Sequence, residues 1–288
     1  MINMVEQRKD RLNPLRRLLP PGLLASASWL REHEYPTNLV AYYVAHHRLE
    51  SPARGVYRVP GPPLKWQSVV ASLQLNEGSW SHIGGRTAIV QRGLGHYGRL
   101  SGADTIELYG PDTLPHWVNK LQVPERFEQR SDAALAPLRV CRDEKGVLRR
   151  FGKVEEPIAP GALGELGLVE IKWGTFDWPL VFSSEERAIL EMLEQVPDRE
   201  SIYEAYVLLQ GLGNLRPERV SSLLRACRSI KAKRLFLALS ARLDHAWFKY
   251  LDLKGVDLGA GKRSLFPGGK LDSKYQITLP ADLEAHAQ

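Results

Sequence analysis

Glu170 and Lys172 stand two residues apart in Val169-Glu170-Ile171-Lys172-Trp173, a stretch that alternates as a β-strand does, so both side chains point to one face. A carboxylate and a lysine placed this way, with Asp112 or Asp177 as a second ligand, would hold Mg²⁺ and activate a water, the chemistry of a metal-dependent nuclease. Such a triplet is common by chance and Asp112 lies far upstream, so the nuclease stands as an alternative reading. Other chemistries fail on spacing. Gly261-Lys262 is followed by Arg263, and Val256 stands five before Gly261, so no P-loop forms. His33-Glu34 lacks a second histidine four residues after the first. His46 and His47 are adjacent, about 100° apart on a helix, and make a poor metal pair. The expectation is a half-buried His47 and a His46 facing DNA or solvent. Cys141 and Cys227 are too few for a disulfide framework and read as reduced thiols. No local signature marks a Ser-His-Asp or Cys-His nucleophile. No metal or other cofactor is expected.

Binding chemistry is better marked. The net charge of +6 is unevenly spread. Residues 1–60 carry nine Lys/Arg against five Asp/Glu, and residues 225–275 carry twelve against four, while residues 61–224 carry eighteen against twenty-two. Two basic ends flanking a mildly acidic middle are what a phosphate-backbone binder presents. Residues 37–47 phase as a helix with Leu39, Val40, Tyr43, Val44 and His47 on one face. The opposite face carries Thr37, Asn38, Ala41, Tyr42 and Ala45. That face has no charge, two small alanines, and hydrogen-bonding groups at its N-terminal end. It suits entry into a major groove, with Asn38 placed to pair bidentately with adenine. Arg48, Arg54 and Arg58 follow in a hairpin pattern, where a wing would meet phosphates. Trp173 to Trp178 is aromatic-rich; without a neighbouring basic cluster it reads as a buried aromatic turn rather than a base-stacking platform.

The elements that would position these residues follow from periodicity and stop signals. A helix at 11–19 uses Leu12, Leu15, Leu18 and Leu19 and stops at Pro20-Pro21-Gly22. A short helix at 26–32 has Ser26 as its N-cap, and the third starts with Thr37 as cap. Two short strands around Arg54-Gly55 complete a winged helix-turn-helix over residues 1–61, bounded by Gly61-Pro62-Pro63. Residues 62–288 read as a larger mixed α/β domain, making the whole α+β. Helices are predicted at 65–76 and 88–97. Strands are predicted at 105–109, 138–141, 147–151 and 169–173. Four helices follow, with capping boxes at Ser183/Glu186 and Ser201/Glu204, Pro217 opening the third, and the fourth at 231–243. Strands at 264–266 and 275–279 flank a Gly268-Gly269 turn. No apolar run reaches the ~18 residues of a membrane span, and the polar N-terminus lacks a secretory signal, so a cytoplasmic location without membrane contact is expected. No heptad seam supports a coiled-coil dimer.

Along nearly its whole length the chain resembles the AbiEi family of antitoxins from bacterial type IV toxin–antitoxin (abortive infection) systems. The resemblance is carried by Thr37–Tyr57 with Arg54-Gly55-Val56-Tyr57, by Gly84-Gly85-Arg86-Thr87-Ala88, and by Gly93-Leu94-Gly95-His96-Tyr97. It is most specific in Ser184-Glu185-Glu186-Arg187-Ala188-Ile189-Leu190-Glu191, Val256-Asp257-Leu258-Gly259, Gly261-Lys262-Arg263 and the stretch from Gly268 to Pro280. The resemblance implies a winged helix that binds inverted repeats in double-stranded operator DNA and represses its own operon. It also implies a C-terminal domain that counters a nucleotidyltransferase toxin without a tight complex. The chain has no Gly-Ser step followed by paired aspartates, so it is not expected to be that toxin. Charge and motif together single out Lys262, Arg263, Lys270 and Lys274 for antitoxicity. A transcription factor that senses a ligand and has no toxin partner is the third reading.

Overall fold

The computed structural model describes residues 11–94, 105–135, 140–142, 148–151, 155–158 and 162–286. Residues 95–97, 138–139 and 147, which the sequence places in a helix and two strands, lie outside them. Helix α1 (Leu12–Leu18) buries Leu15, and Leu19 follows it into the core before Pro20-Pro21 ends the helix. Strand β1 (Ala25–Ser26) leads to α2 (Ala27–Glu32), whose first turn is capped by the Ser26 hydroxyl accepting from the Trp29 N–H at 3.1 Å. Helix α3 (Thr37–Ala45) buries Leu39, Val40 and Tyr43. Its cap is Pro36 rather than Thr37: the extended Pro36 precedes the first turn, and Thr37 is already helical. The helix ends at Ala45, so His47 sits past it with φ +53° and is exposed, not half-buried.

Strands β2 (Glu50–Ala53) and β3 (Val56–Arg58) pair around Arg54-Gly55, where Gly55 takes φ +79°. With β1 they form a sheet of order β1-β3-β2 against three helices, the winged-helix arrangement. Helix α4 (Trp66–Leu75) then docks on this unit. The Leu24 N–H donates to Ser72 Oγ at 2.7 Å, Asn76 Nδ2 donates to the Leu24 carbonyl at 2.7 Å, and the Ser26 N–H donates to Glu77 Oε1 at 2.9 Å. One apolar core runs from Leu15 and Leu30 through Val69 and Val70 into the rest of the molecule.

A five-stranded mixed sheet carries the larger part. Its strands are β4 (His82–Ile83), β5 (Thr105–Tyr109), β6 (Arg126–Arg130), β10 (Leu168–Trp173) and β11 (Trp178–Ser183), in the order β10-β11-β4-β5-β6. Between β4 and β5 lies α5 (Gly85–Ile89), continued by a π-helical turn. A separate antiparallel sheet joins β7 (Val140–Arg142), β8 (Leu148–Phe151) and β9 (Glu155–Pro157). Helices α6 (Glu185–Gln195), α7 (Ile202–Gly211), α8 (Pro217–Ala226) and α9 (Ile230–Leu243) follow, with α6 sunk among the others.

Ser201 caps α7 and Pro217 opens α8, but α6 is capped by the backbone at Ser184. Ser183 makes no capping box, because its hydroxyl is drawn inward to Glu191. The chain closes with β12 (Lys270–Asp272) and β13 (Ile277–Leu279). Residues 264–266 form no strand. Thr278 Oγ1 accepts from the Leu265 and Phe266 N–H groups, taking the place of a ladder partner.

Candidate nucleic-acid interface

The outward face of α3 is as the helical phase requires. Thr37, Asn38, Ala41, Ala45 and His46 are exposed and Tyr42 is half-buried. Tyr42 and His46 brace each other, with ring centroids 4.1 Å apart and His46 Nδ1 2.9 Å from the Tyr42 carbonyl. Asn38 Oδ1 accepts from the Leu39 N–H at 2.9 Å, which steadies the side chain at the start of the helix. The amide nitrogen and a second lone pair on Oδ1 remain for an outside partner. Arg48 and Arg54 are exposed at the base and tip of the hairpin. Arg58 is engaged differently. Its Nε and Nη2 both lie 2.6 Å from Glu50 Oε2, and Nη1 donates to the Pro62 carbonyl at 2.8 Å. It is 12% exposed and ties the wing to the following connection.

The four C-terminal cations are exposed around one small sheet. Arg263 bridges to Ile277 on one side of β13, while Lys270 pairs with Leu279 on the other, and Lys274 lies in the turn between the strands. Lys262 precedes Arg263. This region is fixed from beneath by buried Arg234, which donates to the carbonyls of Leu258 at 2.7 Å, Gly261 at 2.6 Å and Gln276 at 2.9 Å. The segments 256–263 and 268–280 are thus held by one guanidinium.

A buried polar centre joins the other motifs and was not legible as a site in the sequence. Glu191 is fully buried on α6. Its Oε1 is 2.9 Å from His82 Nε2 and accepts from Arg187 Nε at 2.7 Å; its Oε2 accepts from the Gly85 N–H at 3.0 Å and from Ser183 Oγ at 2.7 Å. Burial alone would push this carboxyl up, but the charges on His82 and Arg187 and these hydrogen bonds hold it down at about 2. Gly84 and Gly85 permit the approach. Gly85 has φ +52°, and a Cβ on Gly84 would run into the Glu191 carboxylate. The next N–H, of Arg86, donates to Glu107 Oε2 at 2.9 Å, and Arg86 Nη2 binds Glu200 and Glu204. The Thr87 hydroxyl accepts from the Glu107 N–H at 3.0 Å. Gly84–Thr87 and Arg187–Glu191 therefore meet in space, as one structural hub. The i, i+4 spacing of Arg187 and Glu191 was the available signal; an ordinary surface ion pair has the same spacing.

The nuclease residues are not gathered. Glu170 and Lys172 lie on the exposed face of β10, and Lys172 faces Asp177 at 3.7 Å in solvent. Asp112 instead accepts from the Trp80 N–H at 2.6 Å. Among the described residues no group of three His, Cys, Asp or Glu could hold a metal ion, and no helix is long and apolar enough to cross a membrane. The aromatic turn is split: Trp178 is buried, while Phe176 stacks on it at 5.5 Å and is 52% exposed.

Two family comparisons settle the relationship. Residues 8–100 match the N-terminal domain of the AbiEi antitoxin transcriptional regulators. Residues 165–280 match the transcriptional regulator family described as AbiEi antitoxin, type IV toxin–antitoxin system. The chain belongs to the AbiEi family. As an AbiEi protein it is a transcriptional regulator and antitoxin by family, built as an N-terminal domain and a larger mixed C-terminal one. The fold is similar to the crystal structure of the RV2827C protein from Mycobacterium tuberculosis, with a TM-score of 0.53 and 15% identity over 99% of this chain and 95% of that one. No curated protein matches this AbiEi chain.

Proposed function

We propose that this AbiEi protein is an autorepressor. It binds inverted repeats in the double-stranded DNA of its own promoter through α3 and the wing, and it counters a nucleotidyltransferase toxin without forming a tight complex. It works in the cytoplasm as a regulator, not as an enzyme. The observation that carries the DNA reading is the outward face of α3: exposed, uncharged, small at Ala41 and Ala45, polar at Thr37 and Asn38, and flanked by exposed Arg48 and Arg54. A solvated helix face would ordinarily carry charge. A groove-entering face needs close approach and hydrogen-bonding tips. Arg48 and Arg54 grip phosphates; Arg58 shapes the wing through Glu50. Residues 1–61 make up the DNA-binding domain and residues 62–288 the antitoxin domain, where Lys262, Arg263, Lys270 and Lys274 form the surface for antitoxicity.

Fluorescence anisotropy with operator duplexes bearing single base-pair changes tests this. Asn38→Ala costs about 1–3 kcal/mol and relaxes preference at one base pair. Arg54→Ala weakens binding to all sequences and flattens the salt dependence. Equal losses for both variants on every duplex would remove α3 from the groove.

A further inference from the structure

A polar groove opens along β5 and β6, at the β6 end of the five-stranded sheet. Strands β5 and β6 run parallel with Glu107 opposite Glu128 and Tyr109 opposite Arg130, so these side chains share a face with Thr105. Arg86 from α5 and Arg199 and Glu200 from the α6–α7 connection stand over that face and close a cavity of about 240 Å³. A second hollow of about 500 Å³ shares Glu128, Arg130 and Arg199 with it, so the two form one groove reaching solvent.

Three guanidinium groups line the groove, and they differ in how far carboxylates engage them. Arg130 is 8% exposed, and its Nη2 pairs with Glu128. Its buried Nε makes no hydrogen bond but forms an ion pair with Glu107 Oε1 at 3.7 Å. Arg199 is exposed at the mouth, and no carboxylate among the described residues lies within ion-pair distance of it. Arg86 differs: Glu200 and Glu204 take its charge.

We propose that this groove is a binding site for a small-molecule oxyanion, a carboxylate or a phosphate group, seated between the Arg130 guanidinium, which lines both hollows, and Arg199. The fork geometry of guanidinium groups suits both. The site is independent of the DNA-binding reading and gives the regulator an effector input.

The anion enters beside Glu107, which shares the groove with Arg86 from α5, Glu128 and Arg130 from β6, and Arg199 and Glu200 from the connection, with Tyr109 beside it on its own strand. Burial first, and the Glu200 charge second, raise Glu107 to about 7. An anion and an ionised Glu107 repel, so the occupied groove keeps Glu107 protonated. Affinity is full below that value and falls above it, toward about tenfold per pH unit.

Calorimetric titration of the full chain at fixed chloride concentration tests the proposal. Sulfate does not titrate near neutrality and serves as the pH probe; inorganic phosphate and succinate separate the two candidate groups. Saturable sulfate binding at pH 6 that weakens several-fold or more by pH 8 is expected. Arg199→Ala, an exposed change that leaves folding intact, weakens it about tenfold at pH 6. Glu107→Gln keeps the pH 6 affinity at pH 8. Tighter binding of phosphate or of succinate, lost in the same Arg199 variant, supports the site and names the group. Absence of saturable binding at pH 6, or binding indifferent to both substitutions, would overturn it.

Discussion

Glu191 and Glu107 lie on either side of the Gly84-Gly85 turn and are driven in opposite directions. Glu191 is ionised in the native state down to about 2. Against an ordinary carboxyl near 4.5, that difference contributes about 3 kcal/mol of stability at neutral pH, present above about 4.5 and lost as pH falls toward 2. Glu107 is raised to about 7, so its native form binds the proton more tightly than the unfolded chain does. Its contribution is full below about 4.5 and is lost as pH rises to about 7. Urea midpoints measured from pH 4 to 8 check this: Glu107→Gln removes the decline between about 4.5 and 7, and an unchanged decline would contradict it. Glu191→Ala leaves His82 and Arg187 buried without their carboxylate and costs about 3–5 kcal/mol by the same measurement. Neither role was legible in the sequence. Much of each carboxylate's environment comes from residues 20 to 109 positions away, such as Thr87 for Glu107 and His82 for Glu191, and the i, i+4 spacing of Arg187 and Glu191 does not record it.

At the scale of elements, periodicity served where one face is buried and the other wet. Helices α3, α7 and α8 were legible for that reason, whereas α4, α6 and α9 are covered nearly all round and were read from their length, boundaries and apolar content. Strand β11 was not, because both its faces are covered and Pro179-Leu180-Val181-Phe182 shows no alternation. Strand β6 reads as charged because its polar side lines the groove, and β4 is too short to carry a pattern. Caps were misplaced by one residue: the extended Pro36, not Thr37, precedes α3, and Ser184, not its neighbour Ser183, precedes α6. The phase of α3 makes a two-sided prediction. Leu39→Ala, at a 7% exposed position, costs about 2–5 kcal/mol of folding stability. Ala41→Glu, on the exposed face, changes stability by no more than about 0.5 kcal/mol but places a carboxylate against the groove and abolishes preference for the operator. Paired urea and anisotropy titrations read both; loss of stability in Ala41→Glu with operator preference intact would reverse the phase.

At the scale of the molecule, the Gly61-Pro62-Pro63 break marks a change of pattern but not a gap in packing. The core is continuous across it, with Leu24 and Ser26 bonded to Ser72, Asn76 and Glu77, and Gly22 is needed because a Cβ there would stand 2.6 Å from the Trp178 ring. Sequence separation hid these contacts, since they join residues about 50 to 150 positions apart. Tryptophan fluorescence and far-UV circular dichroism should therefore trace one coincident urea transition; two separated transitions would show that the units fold apart. The proposed repression of the chain's own promoter runs through the winged helix. Its most direct test is a band-shift titration of the upstream promoter beside a scrambled duplex, at two salt concentrations. Preference for the promoter that survives the higher salt is the predicted result. Equal, salt-sensitive binding to both duplexes would mean that the protein grips phosphates alone, and would contradict the account.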